Sequence, residues 1–240
     1  MLRLLGAALA AVVLLLAGLL VGSYTFLPPL VEGATARSLQ DGLDLSEEPE
    51  VSLRSEPPPR ILLGEFSGGR VELQEPMFAG VRPERFTVDL DPLEVDPLES
   101  LSAGELRTRE PLSGGVRAEL SEDELARIAG SRIEAFPVKG VELAEDRLLL
   151  RTGVEVLGAE VPVSVAGEPG VRDGSITFEP QDVATFGVPL PGGITDRLLG
   201  GTEFVYPTEE LPFDGEITGL RALQGRVVLS GEAASLPLDG

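Results

Sequence analysis

The stretch LLLRTGVEVLGAEVPVSVAGEPGVRDGSITF, residues 148–178, decides the fold class, because short apolar segments follow one another in it with only turns between them. We predict strands at Leu148–Thr152, Val154–Leu157 and Val161–Val165, and a two-residue hairpin turn at Asp173-Gly174. The strands come in a run and do not alternate with helices. This order favours an α+β fold over an α/β fold.

The alternating pattern extends to both sides of this stretch. Phe86, Val88 and Leu90 alternate with polar residues, so one face of their strand is apolar and the other is charged. Such alternation is typical of an antiparallel sheet that covers a core on one side and meets water on the other. A last hairpin is predicted to turn near Gln224-Gly225.

Two amphipathic helices are predicted. Ala36, Leu39 and Leu43 recur at helical spacing in the stretch VEGATARSLQDGLDLS. The second helix has a better defined start, because Ser121 is a good N-cap and Glu124 stands at the spacing of a capping box. We expect both helices to pack an apolar face against the sheet.

The composition excludes several classes of function. The chain carries 40 acidic and 19 basic side chains, a formal net charge of -21, so nucleic acid is not expected as a partner. It has no Cys and no His, which removes the usual ligands of transition metals and the most common general base. We interpret the acids between Asp89 and Asp96 as a solvated sheet face, not a calcium site. We predict no metal, cofactor or catalytic residue, and an acid-pair hydrolase is only a remote alternative.

The first 31 residues differ from the rest of the chain. Leu4–Val21 contains no charged residue and follows Arg3, an arrangement that keeps the amino terminus in the cytoplasm and sends the following chain across the membrane. We predict that residues 1–31 are a membrane anchor; the alternative is a signal peptide cleaved near Val21-Gly22-Ser23. Residues 32–240 then form one extracytoplasmic domain, tethered to the cytoplasmic membrane, or secreted or periplasmic if the leader is cleaved.

An apolar triplet, Ile61-Leu62-Leu63, stands between three prolines and a Gly-rich turn, just before regular alternation begins. Exposed apolar tips are uncommon unless they are functional. We hypothesise that the triplet and Phe66 form a lip that touches a bilayer or guards a lipid slot, with Arg60 and Arg70 near enough to meet a phosphate. The alternative is that the triplet is a buried strand end.

The order of these features resembles a known family. The amphipathic helix ending in LQDGLDL, the strand FTVDLDPLEVD, the helix opened by VRAELSEDELARIAG and the ending LPFDGEITGLRALQGRVVLSGEA follow an N-terminal apolar segment. Together they are similar to the actinobacterial DUF2993 proteins, also called the LmeA family of phospholipid-binding proteins. The resemblance covers about residues 30–238, and it rests on order and spacing because no single motif is diagnostic.

The resemblance implies a non-catalytic phospholipid-binding protein of the cell envelope, which could also transfer lipid. Its implied fold is similar to tubular lipid-binding domains, with a strongly curved antiparallel sheet wrapped around one or two amphipathic helices and acyl chains in a slot between them. Candidate slot-wall residues are Leu39, Leu43, Leu125 and Ile128, and core packing explains each of them equally well. The expected partners of this monomer are phospholipid and, through residues 1–31, the membrane. The competing hypothesis is a membrane-tethered scaffold domain with a solid core.

Overall fold

The structure is a computed structural model of the 240-residue chain. It describes residues 32–40 except 34 and 38, 45, 47–78, 80–96, 99–100, 102, 107–133, 136–144, 147–156, 158–185, 193, 195–196, 204–206 and 214–236. Within these residues, no helix has the length and apolar character needed to cross a membrane. The predicted membrane segment Leu4–Val21 and the candidate residue Leu43 lie outside them, so the predicted boundary after residue 31 stays a prediction.

The described part of the chain is mostly antiparallel β-sheet with few helices, which confirms the predicted predominance of strands. The strands are β1 (Glu50–Arg54), β2 (Glu65–Phe66), β3 (Gly68–Gln74), β4 (Arg85–Leu90), β5 (Leu93–Glu94), β6 (Leu112–Ser121), β7 (Val138–Ala144), β8 (Arg147–Val156), β9 (Ala159–Arg172), β10 (Ser175–Thr185), β11 (Phe204–Tyr206), β12 (Asp214–Leu223) and β13 (Arg226–Leu236). A 3-10 helix spans Pro58–Leu63, and the α-helix α1 spans Glu122–Arg132. Residues 32, 33, 35–37, 39 and 40 are also helical.

Pairing groups the described strands into a six-stranded sheet in the order β1-β3-β4-β6-β13-β12, a five-stranded sheet in the order β11-β10-β9-β8-β7, and the pair β2-β5. The described residues also divide into two compact units. The first unit contains those up to Glu72 and those of Asp89–Ser113, and the second contains Leu73–Val88 and Gly114–Leu236.

The hairpins from β7 to β10 follow the predicted order, but β9 extends beyond the predicted Val161–Val165 to Arg172, and one predicted interruption is absent. Asp173 and Gly174 have φ angles of 50° and 74°, which are the left-handed values of the tight turn predicted between β9 and β10. The predicted interruption at Gly153 is wrong, because β8 continues through this residue and pairs it with Pro162 of β9. The side chain of Glu160 lies over Gly153, in the space that a side chain would need. A glycine inside a strand here marks a close approach and not a strand end.

Helix α1 begins at the predicted N-cap, where Ser121 Oγ accepts a hydrogen bond from the Glu124 N–H at 3.4 Å. The Glu124 carboxylate does not return to the cap as a capping box requires. It accepts instead from the Arg82 N–H at 2.6 Å and from Arg127 Nε at 2.8 Å. A tertiary contact with Arg82 and a pair with Arg127 on the same helix have therefore replaced the bond to the cap.

Glu124 makes the stability of this unit depend on pH. The Arg127 hydrogen bond is the main cause that lowers the pKa of the Glu124 carboxyl, and the Arg82 N–H adds to it. A carboxylate with a lowered folded pKa stabilises the fold above its unfolded pKa, and this contribution is lost as the pH falls through the folded value. We expect Glu124→Gln to lower the free energy of unfolding by about 1 kcal/mol at neutral pH, and the difference from wild type to shrink below about pH 4.5.

Urea unfolding of both proteins from about pH 3 to about pH 7 measures this difference. Asp123→Asn is the matched control, because Asp123 is exposed in the same helical turn and loses the same charge. An equal, pH-independent loss in both variants would contradict the assignment to Glu124.

The core of the second unit brings α1, the five-stranded sheet and the β12–β13 hairpin together. Leu150 and Val165 are fully buried on β8 and β9, and Phe178 of β10 is 1% exposed. Ala129 of α1 and Val227 of β13 belong to the same cluster. Apolar residues of the alternating strands β7, β8 and β9 therefore face this core.

Candidate functional site

An apolar notch opens on strands β4, β6, β12 and β13 within the second unit. Its volume is about 50 Å³. The residues that line it, called the notch from here on, are Phe86, Val116, Ala118, Glu216, Ile217, Leu229, Ser230 and Gly231.

The notch exists because small residues occupy positions where the alternating pattern would place large ones. Phe86 and Ile217 are each 6% exposed and form buried walls. Between such walls, Ala118 has only a methyl group and Gly231 has no side chain at all. A Cβ on Gly231 would lie 2.6 Å from the carbonyl oxygen of Glu216, so the strands approach too closely there for any side chain. The space above Ala118 therefore stays open, whereas Gly231 marks a close approach of β12 and β13.

Irregular pairing of β12 with β13 shapes one side of the notch. Ile217 lies opposite Gly231, but Gly219 lies opposite Ser230, so Thr218 is an extra residue in β12. A second register shift occurs at Asp214/Gly215. Such bulges bend a strand and increase its twist. The notch is therefore formed by a bent main chain as well as by side chains.

Another wall of the notch is connected to the start of α1. The ring of Phe78 packs edge-on against Phe86, with ring centroids 5.1 Å apart and an interplanar angle of 67°. Phe78 and Val81 exchange backbone hydrogen bonds of 2.9 and 2.7 Å across a turn. The next residue, Arg82, donates its N–H to Glu124. Aromatic packing and the Glu124 contact together hold this turn beside Phe86.

The chemistry of the notch suits hydrocarbon. Its lining offers one carboxylate, on Glu216, and one hydroxyl, on Ser230, and the remaining side chains are apolar or absent. Apolar cavities of this kind take apolar ligands, because water gains too few hydrogen bonds in them. Among the described residues, no group of three or more His, Cys, Asp or Glu side chains is placed to hold a metal ion.

The predicted slot-wall residues lie elsewhere in the units. Leu39 is 4% exposed in the helical residues of the first unit. Leu125 of α1 packs against the core of the second unit, and Ile128 is half-buried on the same helix. The lining of the notch contains none of these three residues. The fourth, Leu43, is outside the described residues.

The predicted lip is the end of the 3-10 helix in the first unit, and not the end of a strand. Gly64, with φ of 77°, terminates this helix and donates its N–H to the Ile61 carbonyl at 3.1 Å. Leu63 is 63% exposed, and Ile61 is half-buried. Phe66 is 4% exposed and pairs with Leu93 in the short β2-β5 sheet. The side chain of Leu62 is outside what the structure describes.

Both predicted phosphate-contacting arginines meet carboxylates at the surface of the first unit. Arg60 Nε lies 3.5 Å from Glu65, and Arg70 Nε donates to Asp89 Oδ1 at 2.7 Å. The two arginine side chains are each 57% exposed. Exposed ion pairs of this kind contribute little net stability.

The notch was not predicted from the sequence, because only large apolar residues were considered as candidates for the wall or lip of a lipid site. Ala118 and Gly231 are small residues at apolar positions of alternating strands, and this was the available signal. The bulge at Thr218 had no comparable signal, since it depends on how β12 and β13 pair.

Comparison with known proteins places most of the chain in one family. The family model described as LmeA-like phospholipid-binding matches residues 24–232. No curated protein matches the chain, and no solved structure matches it.

Proposed function

The chain belongs to the LmeA-like phospholipid-binding family, and we propose that it binds phospholipid without catalysis by burying acyl-chain carbons in the notch. The observation that carries this proposal is an open space with an apolar lining on the core-facing side of a sheet. An apolar opening of this kind gives acyl-chain carbons a place to bind, which an acidic face alone does not offer.

The size of the notch limits what it can contribute. An apolar cavity of about 150 Å³ holds one benzene molecule, so a notch of about 50 Å³ takes a few methylene groups. Each methylene removed from water stabilises the complex by about 0.8 kcal/mol, which amounts to about 2 kcal/mol in total. The lipid therefore keeps most of its hydrocarbon in contact with a bilayer or with other apolar surface.

A contact of this strength is sufficient for a protein that stays at the membrane. Residues 1–31 anchor the domain to the outer face of the cytoplasmic membrane in this proposal. Tethering raises the effective concentration of lipid at the site, so a modest affinity still gives high occupancy. The net charge of -21 repels anionic headgroups, and apolar contacts oppose that repulsion.

The lip at Ile61–Leu63 touches the bilayer in the same proposal. Leu63 is already 63% exposed, and its full burial in lipid would contribute about 2 kcal/mol. Buried Phe66 supports the lip from beneath. Arg60 and Arg70 exchange their present carboxylates for lipid phosphate when the lip meets the membrane.

The test is lipid uptake by a variant with a filled notch. Ala118→Leu is expected to lower uptake of a fluorescent phospholipid by about tenfold or more, because the added carbons occupy the space that the acyl chain needs. Ala118→Val, which adds less volume, should give a smaller loss. Uptake is measured from donor vesicles, and lipid adducts that survive purification are measured by native mass spectrometry.

Ala184→Leu is the matched control, because Ala184 is exposed on β10 and takes no part in the notch. Uptake by Ala118→Leu equal to that of wild type would contradict the notch as the site. A clean lipid-free mass with no uptake by the wild-type protein would favour the scaffold function instead.

Leu63→Ser should weaken vesicle association and leave the melting temperature unchanged, because Leu63 is exposed.

A further inference from the structure

We infer that the notch holds the end of a single acyl chain, so that a bound phospholipid is held there by one of its two chains. This inference rests on the proposed function and adds the class of ligand. Lysophospholipids, which have one chain, should then bind as well as diacyl phospholipids do. The second chain of a diacyl lipid remains outside the notch.

The width of the notch on one side is set by main chain. Gly231 lies opposite Ile217 in the β12–β13 ladder. A Cβ on Gly231 would be 2.6 Å from the Glu216 carbonyl oxygen and 3.1 Å from Val116 Cγ2. Hydrogen-bonded strands at this distance cannot separate by a change of rotamer. Ligand binding therefore cannot widen this side without breaking ladder hydrogen bonds.

Packing holds the other walls in place. Leu229 packs against the core cluster that contains fully buried Leu150 and Val165. Phe86 is 6% exposed and packs edge-on with Phe78. Side chains packed at the density of a protein interior transmit strain when they are displaced. Making room for a second chain would move both walls and expose apolar core surface.

The volume of the notch also favours one chain over two. About 50 Å³ is a third of the cavity that holds one six-carbon ring. Two chains lying side by side are wider than one ring, whereas one extended chain is narrower. The end of one chain is the ligand segment that fits the space between these walls.

The test uses a thiol placed in the notch. The natural chain has no Cys, so Ser230→Cys introduces a single reactive group in the lining. The full chain, kept in solution by an amphipathic polymer, is alkylated with a maleimide in the presence of octanoyl lysophosphatidylcholine or dioctanoyl phosphatidylcholine. Both lipids are added to the polymer particles at equal mole fractions, because a contact of about 2 kcal/mol is occupied only at the high local lipid concentration that a membrane would otherwise supply. Ser52→Cys is the control, because Ser52 is exposed on β1.

We expect both lipids to slow alkylation in the notch and to leave the control unaffected. The concentrations that give half-maximal protection should differ by less than about tenfold, since a second chain outside the notch buries no further methylene groups. Native mass spectrometry should show one lysophospholipid per protein.

Two results would overturn the inference. One is half-maximal protection by the diacyl lipid at about one tenth, or less, of the concentration that the lysophospholipid requires. The other is binding of two lysophospholipids per protein. Absence of protection by either lipid is a separate result, which would overturn the proposed function and the inference with it.

Discussion

Gly167→Ala is expected to lower the free energy of unfolding by about 3 kcal/mol, through overpacking of the core of the second unit. A Cβ at this position would lie 2.5 Å from the Phe178 ring and would also collide with the carbonyl oxygen of Glu179. Phe178 is 1% exposed, so its ring has no free space to enter. The carbonyl belongs to the neighbouring strand β10 and is equally constrained. Both strands would have to shift.

Gly170→Ala in the same strand is the matched control. A Cβ at Gly170 would lie 3.6 Å from Thr177 Oγ1, which is an ordinary contact distance. We expect no loss of stability, or a small gain because alanine restricts the unfolded chain. Chemical denaturation of the two variants makes the comparison. Equal losses in both would show that glycine flexibility, and not space, is what matters at Gly167.

Phe178→Ala is expected to lower the free energy of unfolding by about 3 to 5 kcal/mol. The Phe178 ring lies in the same cluster as Leu150 and Val165, and its removal would leave a cavity that these strands cannot fill. Since the stability of most domains is about 5 to 15 kcal/mol, a loss of this size is a large fraction of the total. The measurement is the denaturant midpoint at constant slope, and a loss below about 1 kcal/mol would contradict a packed core here.

The two substitutions should interact. Phe178→Ala removes the ring that collides with a Cβ at Gly167, whereas the Glu179 carbonyl remains. The double variant should therefore lose less stability than the sum of the single losses, by about 1 kcal/mol or more.

Features with local causes were predictable from the sequence. Alternation of apolar and polar residues predicted the strands. The turn at Asp173-Gly174 formed as predicted, because both residues tolerate the left-handed conformation that a tight hairpin needs. Ser121 caps α1 because the acceptor and the N–H that it binds are three residues apart. In each case the partners lie within a few residues of each other.

Predictions that depended on distant partners were less complete. Glu124 was expected to close a capping box, but it binds Arg82, which is 42 residues away. The break expected at Gly153 is absent, because Glu160 of the next strand lies over that position. Neither partner is visible in the local pattern, since each arrives only when strands or loops assemble.

The sequence by itself determined that this chain is built mainly of antiparallel strands, that its surface is acidic, and that its features follow the order of the LmeA-like family. Tertiary structure alone decided where space remains among the strands. Ala118 and Gly231 are ordinary small residues until β4, β6, β12 and β13 bring large neighbours around them and the bulge at Thr218 bends one wall. The reason is that volume is a property of several strands together, whereas turns, caps and alternation are properties of adjacent residues.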